Sequence, residues 1–427
     1  MNGAKKCIAT TDARRICTEL TRRGSRSGAF VLKGVGVDLN ALYITVIGGG
    51  IGGLTCALAL RQRGANVTVL EQAQAITEVG AGIQVSPNGL RVIEALGLGD
   101  ALSERSVQGC AVSLRNGSTG AEVARLDLTR LPSDQRYLFV HRADLVDLLS
   151  AAARDQGVKV RLLQRVDTVT PGPRPRIVLA TGDTRETDLV IGADGIHSSV
   201  RPVLNATQKP FFTGQVAWRC IVPNSTGHPP HARVHMGPGR HMVTYPLRDG
   251  SMLNVVAVEE RAQWAAESWS QKDDADNLRK AFAEFDAEVH QILSQADSPG
   301  VWGLFRHPVA AHWHGPSMAL LGDAAHPTLP FLAQGANMAM EDAWVLADAL
   351  AQAPDKNTGL ADYQQRRKAR ATRVIDAASK NARNYHLSPG PFRFAAHTAL
   401  RVLSRVSPGQ MLGRFDWLYG YDVTKAV

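Results

Sequence analysis

The sequence has few cysteines, few aromatic residues and no long uninterrupted apolar segment. Its five cysteines are odd in number and show no CxxC spacing, which is typical of reduced thiols in a cytoplasmic protein. A run of 20 residues without a charge, 41–60, contains five glycines, which disfavours a membrane span or a signal-peptide core. Because clustered acidic or cysteine ligands are lacking, we predict no metal site at either group of histidines: His312 with His314, or His228 with His231 and His235.

The formal charge of +9 is concentrated at the N-terminus. Residues 1–37 carry eight Lys or Arg residues against two acidic ones, so the basic balance is poor evidence for a nucleic-acid partner. Three interpretations of this segment stay open. It is a disordered or spurious extension with translation beginning near Val37, which we favour, or an organelle-targeting peptide, or an arm that binds nucleic acid or anionic membranes.

The stretch 44–71 is typical of a dinucleotide-binding βαβ unit. The β-branched run 44–47 predicts a buried parallel strand, and a helix and a second strand, 67–70, follow. Glu71 ends that second strand, where a carboxylate can accept hydrogen bonds from a ribose. Between the first strand and the helix lies a GxGxxG motif, whose backbone and helix N-terminus can hold a diphosphate: Gly48, Gly50 and Gly53.

A chain of 427 residues predicts two domains. Between residues 215 and 259 the hydrophobic period changes from that of helices to that of strands, which predicts an antiparallel sheet inserted into the first domain. The predicted divisions are an extension (1–41), the first part of the dinucleotide-binding domain (42–214, with short strands at 107–140 joining the substrate domain), the substrate-domain sheet (215–309), the last part of the dinucleotide-binding domain (310–355) and a helical C-terminal region (356–427).

Three motifs follow one another along the chain: GGGIGG at 48–53, IGADGIHSSVR at 191–201 and LGDAAHPTLPFLAQGANMAMEDA at 321–343. With these motifs at these separations, the chain resembles the single-component FAD-dependent aromatic hydroxylases of the p-hydroxybenzoate hydroxylase fold. Within that family, its sequence motifs most resemble those of salicylate hydroxylases, 3-hydroxybenzoate 6-hydroxylases and 6-hydroxynicotinate 3-monooxygenases. The resemblance runs from about Tyr43 to the C-terminal end. It implies an α/β fold: a Rossmann-like FAD-binding domain, an inserted antiparallel-sheet substrate domain and C-terminal helices.

The resemblance implies a monooxygenase with FAD as cofactor and with NADH or NADPH and O2 as co-substrates. A flavin C4a-hydroperoxide would hydroxylate a small aromatic acid or phenol, such as a salicylate or hydroxybenzoate. Because the chain has no second dinucleotide-binding domain, NAD(P)H would bind transiently in a surface cleft. The alternative within the fold is an epoxidase or N-hydroxylase acting on a larger apolar substrate.

A third interpretation is a nucleic-acid or membrane-binding module built on the N-terminal segment and a basic helix predicted at 360–385. That helix is more simply explained as a solvated helix with one apolar stripe. We therefore expect a cytoplasmic monomer or homodimer with no nucleic-acid partner and no stable membrane span.

The resemblance also implies a set of cofactor-binding residues. Asp323, at a strand end, would face the ribityl hydroxyls of the flavin, and Gly335 and Ala336 open a helix whose dipole would stabilise the reduced flavin. Arg142 would contact the cofactor phosphates. The full set is Gly48, Gly50, Ile51, Gly53, Glu71, Gln72, Gly82, Arg142, Val166, Asp194, Asp323, Gly335 and Ala336.

The substrate pocket departs from the pattern of these relatives. Where they place histidine or glutamine in the third motif, this chain has Pro330 and Phe331. Arg240 is a candidate partner for a substrate carboxylate, and Tyr245 or His241 for a proton relay. Strand alternation decides which of these side chains point inward. The catalytic candidates are Tyr245, His241 and Gln84, and the substrate-binding candidates are Trp218, Arg240 and Phe331, with His326 as a further pocket residue.

Overall fold

The computed structural model describes residues 37–76, 82–263 and 272–425. The interpretations of the basic N-terminal segment concern residues that lie outside this description. The strands are β1 (Tyr43–Ile47), β2 (Asn66–Leu70), β3 (Gly82–Val85), β4 (Ser106–Gln108), β5 (Ala111–Asn116), β6 (Glu122–Asp127), β7 (Leu138–His141), β8 (Lys159–Arg161), β9 (Val166–Thr170), β10 (Arg176–Leu179), β11 (Thr184–Glu186), β12 (Leu189–Gly192), β13 (Phe211–Pro223), β14 (His231–Gly237), β15 (Arg240–Leu247), β16 (Met252–Glu260), β17 (Gly300–Arg306), β18 (His314–Gly315) and β19 (Met318–Leu320).

Twelve α-helices lie among the described residues. They are α1 (Ile51–Gln62), α2 (Pro87–Ala95), α3 (Gly99–Ser103), α4 (Arg142–Asp155), α5 (Arg201–Leu204), α6 (Ala275–Ala281), α7 (Ala287–Leu293), α8 (Gly335–Gln352), α9 (Lys356–Tyr385), α10 (Pro391–Val406), α11 (Pro408–Gly413) and α12 (Asp416–Tyr419). Short 3-10 helices include Gly322–Ala324 and Pro330–Leu332. Within the described parts of the chain, no helix combines the length and the apolar character needed to cross a membrane.

A mainly parallel sheet organises the part of the fold that contains the GxGxxG motif, with strand order β18-β19-β12-β1-β2-β8. β1 pairs in parallel with both β2 and β12, and its residues Ile44 and Val46 are almost fully buried. α1 follows β1 and packs against α4 and α8. Because parallel strands end at the same edge of a sheet, the turns after β1, β12 and β19 lie together there.

A second sheet of seven strands has the order β17-β13-β16-β15-β14-β5-β6. It corresponds to the inserted sheet, and β5 and β6 from the predicted 107–140 region join its edge. Its pairings are antiparallel except that β14 and β5 run parallel. This departs from the antiparallel expectation because β5 arrives by a long connection from the first domain, not through a hairpin.

Two short helices, α6 and α7, follow the strands β13 to β16 along the chain. Asp286 begins the second one, since its carboxylate accepts a hydrogen bond from the N–H group of Val289 at 3.0 Å. The predicted helix at 360–385 is α9, which begins earlier because Asp355 caps the N–H groups of Asn357 and Thr358. α9 has one buried stripe, as expected for an amphipathic helix.

Candidate flavin and substrate site

A cleft of about 680 Å³ lies between the carboxyl edge of the parallel sheet and the seven-stranded sheet. All but one of the predicted cofactor residues line it: Gly48, Gly50, Ile51, Glu71, Gln72, Gly82, Arg142, Val166, Asp194, Asp323, Gly335 and Ala336. The exception is Gly53, in the first turn of α1. Four of the predicted pocket residues also line the cleft, namely Gln84, His241, Tyr245 and Phe331.

The glycine turn after β1 has different steric constraints at its three motif positions. Gly48 has φ +105°, and a Cβ there would lie 2.4 Å from the carbonyl oxygen of Ala193. A Cβ on Gly53 would lie 2.0 Å from the carbonyl oxygen of Gly48, so this glycine lets helix and strand pack closely. A Cβ on Gly50 would meet nothing within 4 Å. Gly50 therefore presents bare backbone to the cleft, which fits a diphosphate lying against the turn.

Glu71 is held against the same turn. Its Oε2 atom accepts a hydrogen bond from the N–H group of Gly49 at 2.7 Å, and its Oε1 atom accepts one from Ala73 at 2.9 Å. The carboxylate is thus fixed at the end of β2, where the hydroxyls of a nucleotide ribose would meet it.

Asp194 and Asp323 supply the acidic groups after β12 and β19. Asp194 Oδ2 accepts hydrogen bonds from the N–H and hydroxyl groups of Ser199, whereas its buried Oδ1 has no hydrogen-bond partner among the described residues. The side chain of Asp323 opens into the cleft. Burial raises the pKa of both carboxyls, and for Asp323 the nearby His326 and Arg142 partly offset this effect. Carboxyls in such positions suit hydrogen bonding to hydroxyl groups of a bound cofactor.

The helix α8 begins at the cleft without a side-chain cap. Gln334 occupies its N-cap position but makes no capping hydrogen bond, because its side chain bonds instead to Ser86, the N-cap residue of α2, and to Asn88 in its first turn. Gly335 and Ala336, in the first turn, line the cleft. The uncapped N–H groups and the helix dipole therefore favour negative charge at this point, as the reduced flavin ring would require.

A buried ionic cluster supports the turn that carries Asp323. Arg367, on α9, is fully buried and pairs with Asp342 at 2.7 Å and with Glu341 at 2.6 Å. Asp342 also accepts hydrogen bonds from His326 at 2.5 Å and from the N–H group of Gly322 at 3.1 Å. Burial would raise the pKa of Asp342, but His326 and Arg367 outweigh it and lower the pKa to about 2. The cluster joins α8, α9 and the 3-10 turn at Gly322–Ala324.

The sequence predicts His326 as a substrate-pocket residue and the basic helix at 360–385 as solvated. The structure instead buries His326 beneath the turn, where its ring stacks on Trp313 with 4.9 Å between centroids. Arg367 is likewise buried, and one of its carboxylate partners, Glu341, has a second ion pair with Arg370 at 2.7 Å. The signal that could have revealed this cluster is the acidic pair Glu341–Asp342 within an otherwise apolar helix.

The cleft-facing surface of the seven-stranded sheet follows from its register. Across β13, β16 and β15, one row of paired residues consists of Arg219, Val256 and Val243. The neighbouring row on the same face consists of Ala217, Val258 and His241. Trp218 and Arg240 alternate to the other surface. The Trp218 ring donates a hydrogen bond to Asp273 at 2.7 Å, and Arg240 bonds to the carbonyl oxygen of Ala281 and pairs with Glu259. Neither of these two predicted residues lines the cleft.

Arg219 lines the cleft but is absent from the pocket residues predicted from the sequence. Its guanidinium group lies over the ring of Trp302, 4.5 Å from the centroid, and both side chains line the cleft. Arg219 follows Trp218 directly, and consecutive residues of a strand point to opposite faces. A prediction that places Trp218 on the cleft face therefore places Arg219 on the other face. The signal was a single arginine within the apolar strand VAWRCIV.

His241 and Tyr245 lie two residues to either side of Val243 on β15 and share its face. Burial lowers the pKa of His241 well below its usual value, assisted by the nearby His386. Burial raises the pKa of Tyr245, although Arg219 acts in the opposite direction. At neutral pH the imidazole is therefore uncharged and the phenol protonated. Phe331 packs edge-on against His241, with 5.0 Å between ring centroids.

A second cavity of about 540 Å³ adjoins the cleft beneath α10 and α11. Gln84, Val243 and Phe331 line both spaces. The Gln84 side chain accepts a hydrogen bond from the hydroxyl of Tyr137 at 2.7 Å, which fixes it in this shared wall. Most of the other residues around the second cavity are apolar. Among the residues that the structure describes, no cluster of His, Cys, Asp or Glu has the arrangement of a metal site.

A family model described as an FAD binding domain matches residues 42–378. The 3-amino-4-hydroxybenzoate 2-monooxygenase PtmB3 of Streptomyces platensis is 35% identical over 401 residues, which cover 90% of this chain and 98% of that relative. The 3-hydroxybenzoate 6-hydroxylase 1 of Aquipseudomonas alcaligenes is 31% identical, again over 90% of this chain and 98% of the relative.

Two solved structures are similar over most of their length. A salicylate hydroxylase substrate complex has a TM-score of 0.76 and 25% identity, covering 90% of this chain and 96% of that one. Klebsiella pneumoniae HpxO, complexed with FAD and uric acid, has a TM-score of 0.78 and 26% identity, covering 88% and 97%.

Proposed function

The chain belongs to the FAD binding domain family and is an FAD-dependent monooxygenase, and we propose that its substrate is a small hydroxylated aromatic carboxylate. Two relatives are named for hydroxybenzoates. The observation that carries the proposal concerns two polar groups that line the same cleft. They are the guanidinium group of Arg219 and the uncharged imidazole of His241, and apolar side chains lie between them.

The spacing of these two groups suits a single aromatic ring. Arg219 and His241 lie on β13 and β15, two strands apart across β16, or about 10 Å along the hydrogen-bonding direction. Because the arginine side chain is long, the distance between the guanidinium group of Arg219 and the imidazole of His241 that a ligand must span is shorter than the distance between the two strands. Between them, Val243 and Val256 offer flat apolar contacts. A carboxylate at Arg219 would therefore place the far edge of the ring towards His241.

The roles of the protein groups follow from this orientation. The bound FAD would supply the redox chemistry, namely hydride acceptance from NAD(P)H and activation of O2. Arg219 would hold the substrate carboxylate, and His241 would accept the phenol proton, which makes the ring electron-rich. Tyr245, protonated at neutral pH, would donate a hydrogen bond to the substrate oxygen. Trp302, Phe331 and the valines exclude water from the reacting ring.

We propose FAD contacts at the cleft residues already described. Gly50 and the N-terminus of α1 would meet the diphosphate, Glu71 the adenosine ribose, and Asp323 the ribityl chain. The N-terminus of α8 would face the edge of the flavin ring that becomes negative on reduction. NADH or NADPH would enter the cleft transiently.

The proposal is tested with purified, FAD-loaded protein. NADH and NADPH oxidation would be measured with 3-amino-4-hydroxybenzoate, 3-hydroxybenzoate and salicylate, and oxygen from 18O2 would be followed into the product by mass spectrometry. Labelled product from at least one acid is expected. Fast NAD(P)H oxidation without labelled product for all three acids would refute the substrate class.

The role of Arg219 has a matched control on the same sheet. Arg219→Gln is expected to raise KM for an aromatic acid by about 10- to 100-fold, because a charge-assisted hydrogen bond is lost. Arg240→Gln, on the opposite surface, is expected to leave KM within about twofold. Equal effects of the two changes would contradict the proposed carboxylate site.

The second cavity favours a second candidate, hydroxylation, epoxidation or N-hydroxylation of a larger apolar substrate. Such a substrate would extend from the cleft past Gln84 and Phe331 into the 540 Å³ space. Stimulation of NADH oxidation by alkyl-substituted phenols, but by none of the three simple acids, would favour this candidate.

We also propose that the enzyme is a cytoplasmic monomer or homodimer with no nucleic-acid partner. In support, the described cysteines Cys56, Cys110 and Cys220 form no disulfide, as is usual in a reducing compartment, where NAD(P)H is also available. Light scattering at two protein concentrations would distinguish the monomer from the homodimer.

A further inference from the structure

A chain of three polar side chains leads from the cleft to the protein surface. His241 lines the cleft, and its Nδ1 atom lies 2.7 Å from Nε2 of His386, the C-cap residue of α9. Nδ1 of His386 lies 2.7 Å from Oε1 of Glu260, at the end of β16. The His241 and His386 side chains are buried, whereas the Glu260 side chain is 54% exposed. The chain therefore joins the substrate pocket to solvent.

The carboxylate at the outer end determines which ring nitrogens carry protons. Glu260 can only accept, so Nδ1 of His386 must be the protonated nitrogen that donates to it. Nε2 of the uncharged His386 is then an acceptor, and Nδ1 of His241 must donate to it. In a neutral imidazole this leaves Nε2 of His241 with its lone pair available to the cleft. Through His386, Glu260 thus leaves His241 in the tautomer that can accept a proton from the cleft.

We propose that His386 and Glu260 are positioning residues that fix the tautomer of His241 and conduct the substrate proton from the cleft to solvent. This inference rests on the proposed function, in which a phenol gives up its proton. The phenol proton binds His241 Nε2 as His241 Nδ1 passes its proton to His386 Nε2. His386 Nδ1 then passes its proton to Glu260 and so to water, which leaves both rings as Nε2–H tautomers. When the product phenolate takes a proton back along the same path, both rings return to the Nδ1–H state, and no co-reactant is consumed.

The surroundings suit conduction of a proton and disfavour its storage. His241 faces His386, Phe331 and Tyr385, none of which carries a negative charge at neutral pH. His386 faces Glu260, and Arg240 is close enough to act on it. Burial is the main cause that lowers the pKa of both histidines. At His386 burial outweighs the opposing effect of Glu260, and Arg240 lowers the pKa further. Each imidazole therefore returns to the uncharged state once the proton has passed.

A purely structural role is the competing explanation, since His386 is the C-cap residue of α9 and its carbonyl oxygen accepts a hydrogen bond from the N–H group of Gly239 at 3.4 Å. Two readouts separate these roles. The first is the tautomer of each histidine, read from the 15N shifts of the ring nitrogens by NMR. The second is the pH dependence of kcat and KM, together with the absorbance of bound 3-amino-4-hydroxybenzoate, which reports its phenolate form.

Glu260→Ala is the main variant, because an exposed side chain can be removed without unfolding the protein. In the wild type both His241 and His386 are expected as Nδ1–H tautomers, and in the variant this fixed pattern is lost. The expected kinetic result is a kcat lowered by about tenfold or more at pH 7, an unchanged KM and a phenolate that forms at higher pH. His386→Phe, which keeps a ring of similar size, is expected to give the same kinetic changes.

Glu259→Gln provides the matched control. Glu259 precedes Glu260 on β16 but pairs with Arg240 and Arg261, so its change should move neither the tautomers nor the pH profile. Nε2–H tautomers in the wild type, or product formation with an unchanged pH profile in both variants, would overturn the inference. Failure of the proposed function would show differently: the wild-type protein would hydroxylate no acid while its histidine tautomers stayed as stated.

Discussion

Replacing Arg367 with methionine tests whether the buried ionic cluster holds the FAD-binding turn in place. Methionine keeps most of the apolar volume of the arginine stem but removes its charge. Glu341 would retain Arg370 at 2.7 Å and the Asn88 amide at 2.6 Å, whereas Asp342 would retain only His326 and the Gly322 N–H group. The variant therefore leaves one buried carboxylate undercompensated.

The expected loss follows from this count of remaining partners. Removing one member of a fully buried ion pair costs about 3–5 kcal/mol, because the other charge stays buried without compensation. Against a total stability of about 5–15 kcal/mol, such a loss is large. Since Asp342 also holds Gly322, beside Asp323, we expect the affinity for FAD to fall as well.

The assay is urea unfolding of the apoprotein and the FAD-loaded protein at pH 7, followed by circular dichroism and flavin fluorescence. Arg366→Met is the matched control: Arg366 is adjacent in α9, but its ion pairs with Asp348 and Asp362 are partly exposed. We expect that change to cost less than about 1 kcal/mol. A loss for Arg367→Met no larger than that of the control would refute the reasoning.

Three further outcomes are expected. Gly50→Ala should leave the unfolding midpoint of the apoprotein nearly unchanged but weaken FAD binding by at least about tenfold in a fluorescence titration, because its Cβ meets open space that the diphosphate would fill. Gly48→Ala should instead lower the stability of the apoprotein itself, since its Cβ would meet the Ala193 carbonyl oxygen, and equal melting temperatures for the two variants would contradict this contrast. Because the pKa of Asp342 is lower in the folded protein, its carboxylate stabilises the fold at pH values above 3.8, the pKa in the unfolded chain. This contribution disappears as the pH falls towards 2. The stability difference between the wild type and Asp342→Asn should therefore shrink below about pH 4, as followed by thermal melts across pH.

Local patterns were sufficient to predict the residues of the glycine turn and the end of β2 that line the cleft. The turn at Gly48 is specified by the conformational freedom of glycine, and Glu71 by its place at the end of the next strand. Both depend on residues within one βαβ unit. The FAD-binding fold and the family were accordingly predictable from the motifs at 48–53, 191–201 and 321–343, and the comparisons confirm them.

The substrate half of the site depended on the tertiary structure. Alternation along β13 and β15 divides their residues into two faces, but only the packing of α6 and α7 on one face assigns Trp218 and Arg240 outward and Arg219 and His241 inward. The pairing of His241 with His386 joins residues 145 positions apart. Sequence periodicity is local, whereas burial and hydrogen-bond partners are set by whichever distant element covers a face. The sequence alone therefore determined the cofactor fold, and the tertiary structure decided which side chains line the cleft.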